Sequence, residues 1–250
     1  MAKERLRLDK ALVERGLVAS RERAQAMILA GRVLVDEQKV EKPGAAVAEG
    51  AAVRLLGEDM RYVSRGGLKL EAALARWGID LTGRRCLDVG ASTGGFTDCC
   101  LQHGAAGVVA VDTGYGQIAQ KLRSDARVEL LERTNARLLK AGELPEGISF
   151  IAVDVAFISA TLVLGPVMAC MQHYGAWRGE CVVLVKPQFE AGREHVGKGG
   201  IVRDAAAHEL AVERVRECVK GLGGTGIEVM DSPIHGMEGN KEFLMHIQWC

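Results

Sequence analysis

The sequence predicts an α/β protein in two parts, a small α+β unit over residues 1–59 and a larger domain over 68–250 built on a mostly parallel, doubly wound sheet. Three observations lead there. From Leu68 onward, apolar runs of strand length alternate with helical patterns, which is the signature of helices packed on both faces of one sheet. One of those runs, Cys181-Val-Val-Leu-Val185, is apolar throughout, as expected of a central parallel strand. The first sixty residues instead show two short helical patterns followed by short strands, and a length of 250 residues suits two domains.

In the first part, Leu8, Leu12 and Val13 recur at helical spacing up to Gly16. Ser20 is placed to cap a second helix, in which Ala24, Met27 and Ile28 share a face before Gly31 ends it. Val33-Leu34-Val35, a polar turn at Asp36-Glu37-Gln38, Val47 and Val53-Arg54-Leu55 read as short strands and their connections. The segment from Gly57 to Gly67 is rich in glycine and charge, and a linker is expected over 60–67. Residues 1–35 carry eight Lys or Arg (Lys3, Arg5, Arg7, Lys10, Arg15, Arg21, Arg23 and Arg32) against four acids (Glu4, Asp9, Glu14 and Glu22). Such a local excess is what phosphate binding requires, although a charged face is as often simply solvated.

In the second part, strands are expected at 85–89, 108–112, 128–131, 148–153, 181–185, 227–230 and 243–247. The first runs directly into a glycine-rich turn, Asp88-Val89-Gly90-Ala91-Ser92-Thr93-Gly94-Gly95, with a helical pattern beyond it. Such a turn lets backbone approach a ligand closely, and the helix N-terminus behind it offers free N–H groups. Asp112 ends the next strand twenty-two positions after Gly90, where a carboxylate can accept from both hydroxyls of a ribose. Either feature alone reads as an ordinary turn or surface acid; together, on neighbouring strand ends, they point to a nucleoside-type cofactor. The spacing is not G-x-G-x-x-G, which disfavours a nicotinamide dinucleotide and favours S-adenosylmethionine.

Four charged residues are expected on the same sheet edge. Asp154 and Lys186 follow the apolar strands 148–153 and 181–185, so both emerge at the carboxyl edge, the usual ligand crevice. Glu242 precedes the last strand and joins them if that strand runs antiparallel. Lys69, in the helical stretch before the first strand, can reach over that edge. Singly, each is an ordinary strand-end charge. Jointly they suit methyl transfer to a weakly acidic ribose hydroxyl, with Lys186 as base, Lys69 as the neighbouring charge that lowers its proton affinity, and the two carboxylates orienting the lysines. A sulfonium donor carries its own leaving group, so no metal is expected.

Composition narrows the classes further. The chain is 48% hydrophobic and 26% charged with net charge zero, and no apolar stretch approaches the roughly 18 residues that span a bilayer. The seven cysteines form no C-x-x-C pair, which argues against a zinc site or a disulfide framework and fits a reducing cytoplasm. MAKERLRLDK lacks the apolar core of a secretory signal.

These residues together resemble the TlyA family, also called hemolysin A-like proteins, which joins an S4 RNA-binding domain to an FtsJ/RrmJ-like ribose 2′-O-methyltransferase domain. RLDKALVERGLVASRERAQAMILAGRVLVDEQKVEKPG resembles the S4 domain; YVSRGGLKLEAAL, CLDVGASTGGFTDCCLQHGA, VVAVDTGYGQIAQKLR, ERTNAR, DVAFIS, LVKPQFE and GNKEF resemble the successive methyltransferase motifs. The resemblance implies a Rossmann-like S-adenosylmethionine-dependent methyltransferase domain with a seven-stranded sheet. It implies a catalytic tetrad of Lys69, Asp154, Lys186 and Glu242. It further implies a cofactor site at Asp88, Gly90, Ala91, Ser92, Thr93, Gly94, Gly95, Asp112, Thr113 and Asn135. Arg5, Arg7, Lys10, Arg21, Arg23, Arg32 and Arg65 would dock the phosphates of ribosomal RNA, with cytidine the expected target. Tyr62 stands where some members have tryptophan. The rivals are an RNA-binding assembly factor without catalysis, and a membrane-damaging toxin, for which the sequence offers no insertion segment.

Overall fold

The computed structural model describes residues 5–18, 20–56, 61–236 and 239–250, so Lys3 and Glu4, and 57–60 of the expected linker region, lie outside the described residues. The chain divides into two compact units, Met1–Met60 and Arg61–Cys250.

In the first unit, β1 (Arg5–Arg7) leads into α1 (Leu8–Glu14) and α2 (Arg21–Leu29), followed by β2 (Val33–Val35), β3 (Gln38–Lys39), β4 (Ala46–Ala48) and β5 (Val53–Leu55). Ser20 caps α2 by accepting from the Arg23 N–H at 3.2 Å. Asp36 and Glu37 both take positive φ, 49° and 63°, which makes the two-residue hairpin that reverses β2 into β3. Two strands were not evident in the sequence. β1 is a three-residue charged segment that exists as a strand only because it pairs antiparallel with β4, about forty residues on. β3 is equally short and is defined by its hairpin to β2. Leu8, Leu12, Val18, Ala24, Met27, Ile28, Val33 and Val47 form the core.

The second unit begins with α3 (Gly66–Trp77), two residues earlier than the helical pattern suggests. Residues 61–65, expected as linker, are packed into this unit. The Tyr62 ring is buried against Gly67, where any side chain would collide with it, and the Val63 N–H donates to Asp98 at 2.8 Å. Then follow β6 (Arg85–Val89), α4 (Gly95–Gln102), β7 (Gly107–Val111), α5 (Gln120–Arg123), β8 (Val128–Leu131), β9 (Ile148–Val153), α6 (Thr161–Gln172), β10 (Gly179–Val185), α7 (Pro187–Glu190), α8 (Ala205–Gly221), β11 (Thr225–Asp231) and β12 (Phe243–Trp249). All seven expected strands are present, in the order β11-β12-β10-β9-β6-β7-β8, with β12 antiparallel to its neighbours.

Alternation along the strands builds two layers. Leu87, Val89, Ile151, Val153, Val183 and Val185 face α6 and α8, whereas Cys86, Phe150, Ala152, Val182 and Leu184 face α3 and α4. Burying both faces explains why 181–185 is apolar at every position; a Val or Leu side chain buried there contributes about 1.5–3 kcal/mol. Five of the cysteines, Cys86, Cys99, Cys100, Cys170 and Cys181, are buried and unbridged, acting as small core hydrophobes. No helix among the described residues is long and apolar enough to cross a membrane.

Candidate active site

Sheet register brings the four charged residues to one edge. Val185 of β10 pairs with Phe243 of the antiparallel β12, so the next residues outward on the two strands are Lys186 and Glu242. Val153 of β9 lies between Val89 of β6 and Val183 of β10, which sets Asp154 beside Gly90. The Asp154 N–H donates to the Val89 carbonyl at 2.9 Å. Gly90, at φ 91°, is close enough to the Asp154 carbonyl that a Cβ would collide with it. Lys69 enters from the second turn of α3.

The four side chains form two ion pairs. Lys69 Nζ lies 2.5 Å from Glu242 Oε2, both residues being buried, and Lys186 Nζ lies 2.6 Å from Asp154 Oδ1. The Glu242 carboxylate occupies space that any side chain at Gly236 would fill. All four residues line one cavity of about 610 Å³, within the range of roughly 300–1,000 Å³ usual for small-molecule sites. A groove of about 840 Å³ between α8 and β11 contains none of them.

The glycine-rich turn forms the adjoining wall through Gly90, Ala91, Ser92 and Gly95, with Arg65 at the start of α3 also in the lining. Asp112, immediately after β7, accepts from the Ser92 N–H at 2.8 Å and the Gly114 N–H at 2.6 Å, so it braces the turn from behind. Thr93 accepts from the Ala119 N–H through its carbonyl. Thr93, Gly94, Asp112, Thr113 and Asn135 are outside the cavity lining; the Asn135 side chain instead accepts from the Arg137 N–H at 3.1 Å and caps a 3-10 turn. Asp88 is fully buried beneath the turn. Burial pushes its carboxyl up to about 7, against the pull of the Thr97 hydroxyl, which donates to it at 2.6 Å.

Several lining residues were not singled out in the sequence: Phe96, Phe157, Gln188, Phe189, His235 and Asn240. Phe157 is 93% exposed and sits at φ 64°, an unusual conformation for an aromatic residue, with its ring centroid 5.7 Å from that of Phe189. The signal was available, since both phenylalanines stand four positions beyond a strand end, in DVAFIS and LVKPQFE. Asn240 is buried, accepting from the Val202 N–H and donating to the Gly200 carbonyl.

In the first unit, Arg5, Arg7, Lys10, Arg21 and Arg32 are exposed and Arg23 is half-buried. Arg7 and Arg21 are side by side because both donate to Asp9, each at 2.9 Å from Oδ2. Asp9 is wholly buried, and the Arg7 guanidinium holds its carboxyl well below the usual carboxylate range, with help from Gln25 and Arg21.

A seven-stranded sheet with one antiparallel strand, a glycine-rich turn after its first strand and a charged cleft at its carboxyl edge defines a methyltransferase of the S-adenosylmethionine-dependent class. Comparison with known proteins makes the assignment specific. Residues 62–249 match the model for FtsJ-like methyltransferases and residues 6–53 the model for S4 domains. The chain is 45% identical over its whole length, and 88% of the relative's, to YqxC of Bacillus subtilis, provisionally named an rRNA methyltransferase. It is 42% identical to the 16S/23S rRNA (cytidine-2′-O)-methyltransferase TlyA of Mycobacterium tuberculosis, over 98% of this chain and 90% of that one. A solved structure from Streptococcus thermophilus, provisionally titled a hemolysin, superposes with a TM-score of 0.73 at 42% identity, covering 99% of this chain and 90% of that one. The chain belongs to the TlyA family of FtsJ-like methyltransferases with an S4 domain, and S-adenosylmethionine is its cofactor.

Proposed function

We propose that the protein methylates the ribose 2′-hydroxyl of a cytidine in ribosomal RNA, in the cytoplasm, on free rRNA or on ribosomal subunits. The observation that carries this reading is the pair of lysine–carboxylate bridges closing one cavity beside the glycine-rich turn. The names of the relatives supply the nucleotide class. The cavity's size, and a turn that lies against the Asp154 carbonyl only because residue 90 lacks a Cβ, fit the cofactor. Gly90, Ala91, Ser92 and Gly95 would contact it, Asp112 would hold its ribose, and its sulfonium supplies an activated methyl group.

The chain's own residues then handle the acceptor. Lys186 takes the 2′-hydroxyl proton as the methyl group is transferred, and Asp154, 2.6 Å away, holds the ammonium that results. Glu242 fixes Lys69 so that its charge faces the acceptor oxygen. Phe157, exposed at the cavity mouth, offers a ring on which an unstacked base can lie. Arg65 in the lining, and Arg5, Arg7, Lys10, Arg21, Arg23 and Arg32 on the S4 unit, meet phosphates.

The test is methyl transfer from labelled S-adenosylmethionine to unmodified ribosomal RNA and subunits, with the label mapped to its nucleotide. Lys186→Ala should lower kcat by about a hundred- to ten-thousandfold while calorimetry still shows cofactor binding. Undiminished transfer by that variant would remove Lys186 as the base.

A further inference from the structure

Beside the ion pair Lys186–Asp154, a second link joins the two loops that carry it. Residues 154–160 follow β9 and residues 186–190 follow β10. At their far ends they meet at Glu190, whose carboxylate accepts from the Ser159 hydroxyl at 2.5 Å and the Ala160 N–H at 2.6 Å. Glu190 is 2% exposed and is absent from the cavity lining, so it cannot touch a substrate. Its own backbone carbonyl accepts from Arg214 of α8 at 2.5 Å, anchoring it to the layer behind.

Between the two links lie Phe157 and Phe189, in mutual contact and both lining the cavity. An aromatic residue in the left-handed region costs about 1 kcal/mol or more and persists only where neighbouring contacts impose it. Phe157 is 93% exposed, so packing of its own ring does not hold it there. What fixes the backbone two and three residues further on is the Glu190 carboxylate. We propose that Glu190 is a positioning residue that locks the loop carrying Asp154 and Phe157 against the loop carrying Lys186 and Phe189, presenting the aromatic pair to the target nucleoside.

The substrate half of this proposal rests on the RNA-methylation reading; the loop-locking half does not, and the test separates them. In the full-length protein, hydrogen exchange of residues 155–160 should quicken about tenfold or more in Glu190→Ala and return toward the unsubstituted rate in Glu190→Gln, whose amide can still accept from the Ala160 N–H and meet the Ser159 hydroxyl, with residues 90–102 unchanged. In transfer assays, Glu190→Ala should lower kcat/KM for RNA roughly tenfold, as loop misplacement does, with cofactor affinity unaltered. In a Phe157→Ala background the same substitution should have little further effect, because residues acting as one unit are not additive. Unchanged exchange in the loop overturns the proposal. So do equal losses in both Phe157 backgrounds, or cofactor affinity falling in step with activity, either of which marks general destabilisation. If the unsubstituted protein transfers no methyl group to RNA, the functional reading fails, and exchange alone decides whether Glu190 locks the loops.

Discussion

Asp9 in the S4 unit and Asp88 in the methyltransferase unit are both shielded from water, Asp9 shallowly beneath two half-exposed arginines and Asp88 deep within its unit, and their carboxyls are driven in opposite directions. Asp9 accepts from Arg7, Arg21 and Gln25, and from the Lys10 N–H, so its charge is held. Asp88 lies deep, with the Thr97 hydroxyl on one oxygen, no partner among the described residues on the other and the Asp154 charge nearby, so its charge is resisted. Loss of contact with water alone therefore does not decide the state of a carboxyl; the depth of its burial and the donors supplied around it do. Each outcome suits its place. A charged Asp9 holds two guanidiniums together while leaving them about half exposed. A carboxyl that tends toward neutrality under the glycine-rich turn adds little negative charge beside Asp154.

Three substitutions can break or sharpen that contrast. The largest effect is expected at Asp88. Its folded value of about 7 lies above the ordinary 3.8, so the folded state binds the extra proton between those values, and stability falls as pH rises from about 4 to 7. Over that window the loss is on the order of 4 kcal/mol, and Asp88→Asn should remove most of it. Tryptophan fluorescence in urea titrations at pH 5 and 8 can measure this in the second unit alone, because Trp77, Trp177 and Trp249 all lie there. A pH slope unaltered in the variant would show that Asp88 is not the group responsible.

Asp9→Ala should come next, costing the S4 unit about 2 kcal/mol, since it removes the partner of two arginines that can regain water. That unit contains no aromatic residue, so hydrogen exchange of the α2 amides is the readout. RNA affinity should fall as well, because Arg7 and Arg21 lose their shared anchor. The smallest effect is expected for Thr97→Val, about 1 kcal/mol below pH 7 and more above it, where Asp88 would ionise without the Thr97 hydroxyl. A Thr97→Val protein equally stable at both pH values would contradict the account of Asp88.

Much of the site could be read from the chain because strand ends are readable. An apolar run followed at once by a charge, as at Asp154 and Lys186, places that charge on the carboxyl edge whatever the loops do. The turn at Gly90 was legible for a similar reason, since a glycine at a strand end before a helix marks close backbone approach. Other features had no local signal. Asp9 reads as one more surface acid in a charged helix, and only the folding of α1 against α2 covers it and adds Arg21 and Gln25 to its local donors. The pairing of Lys69 with Glu242 joins residues 173 positions apart.

By itself, then, the sequence determined the alternation of helices and strands, the sheet edge on which four charges gather, and the family. Those follow from periodicity, from spacing and from motifs contiguous in the chain. Only the tertiary structure decided which lysine faces which carboxylate, which buried aspartate keeps its charge, and that Phe157 is held out at the cavity mouth in a left-handed backbone. These depend on distances between groups remote in sequence, and on the water and donors that packing leaves around each one.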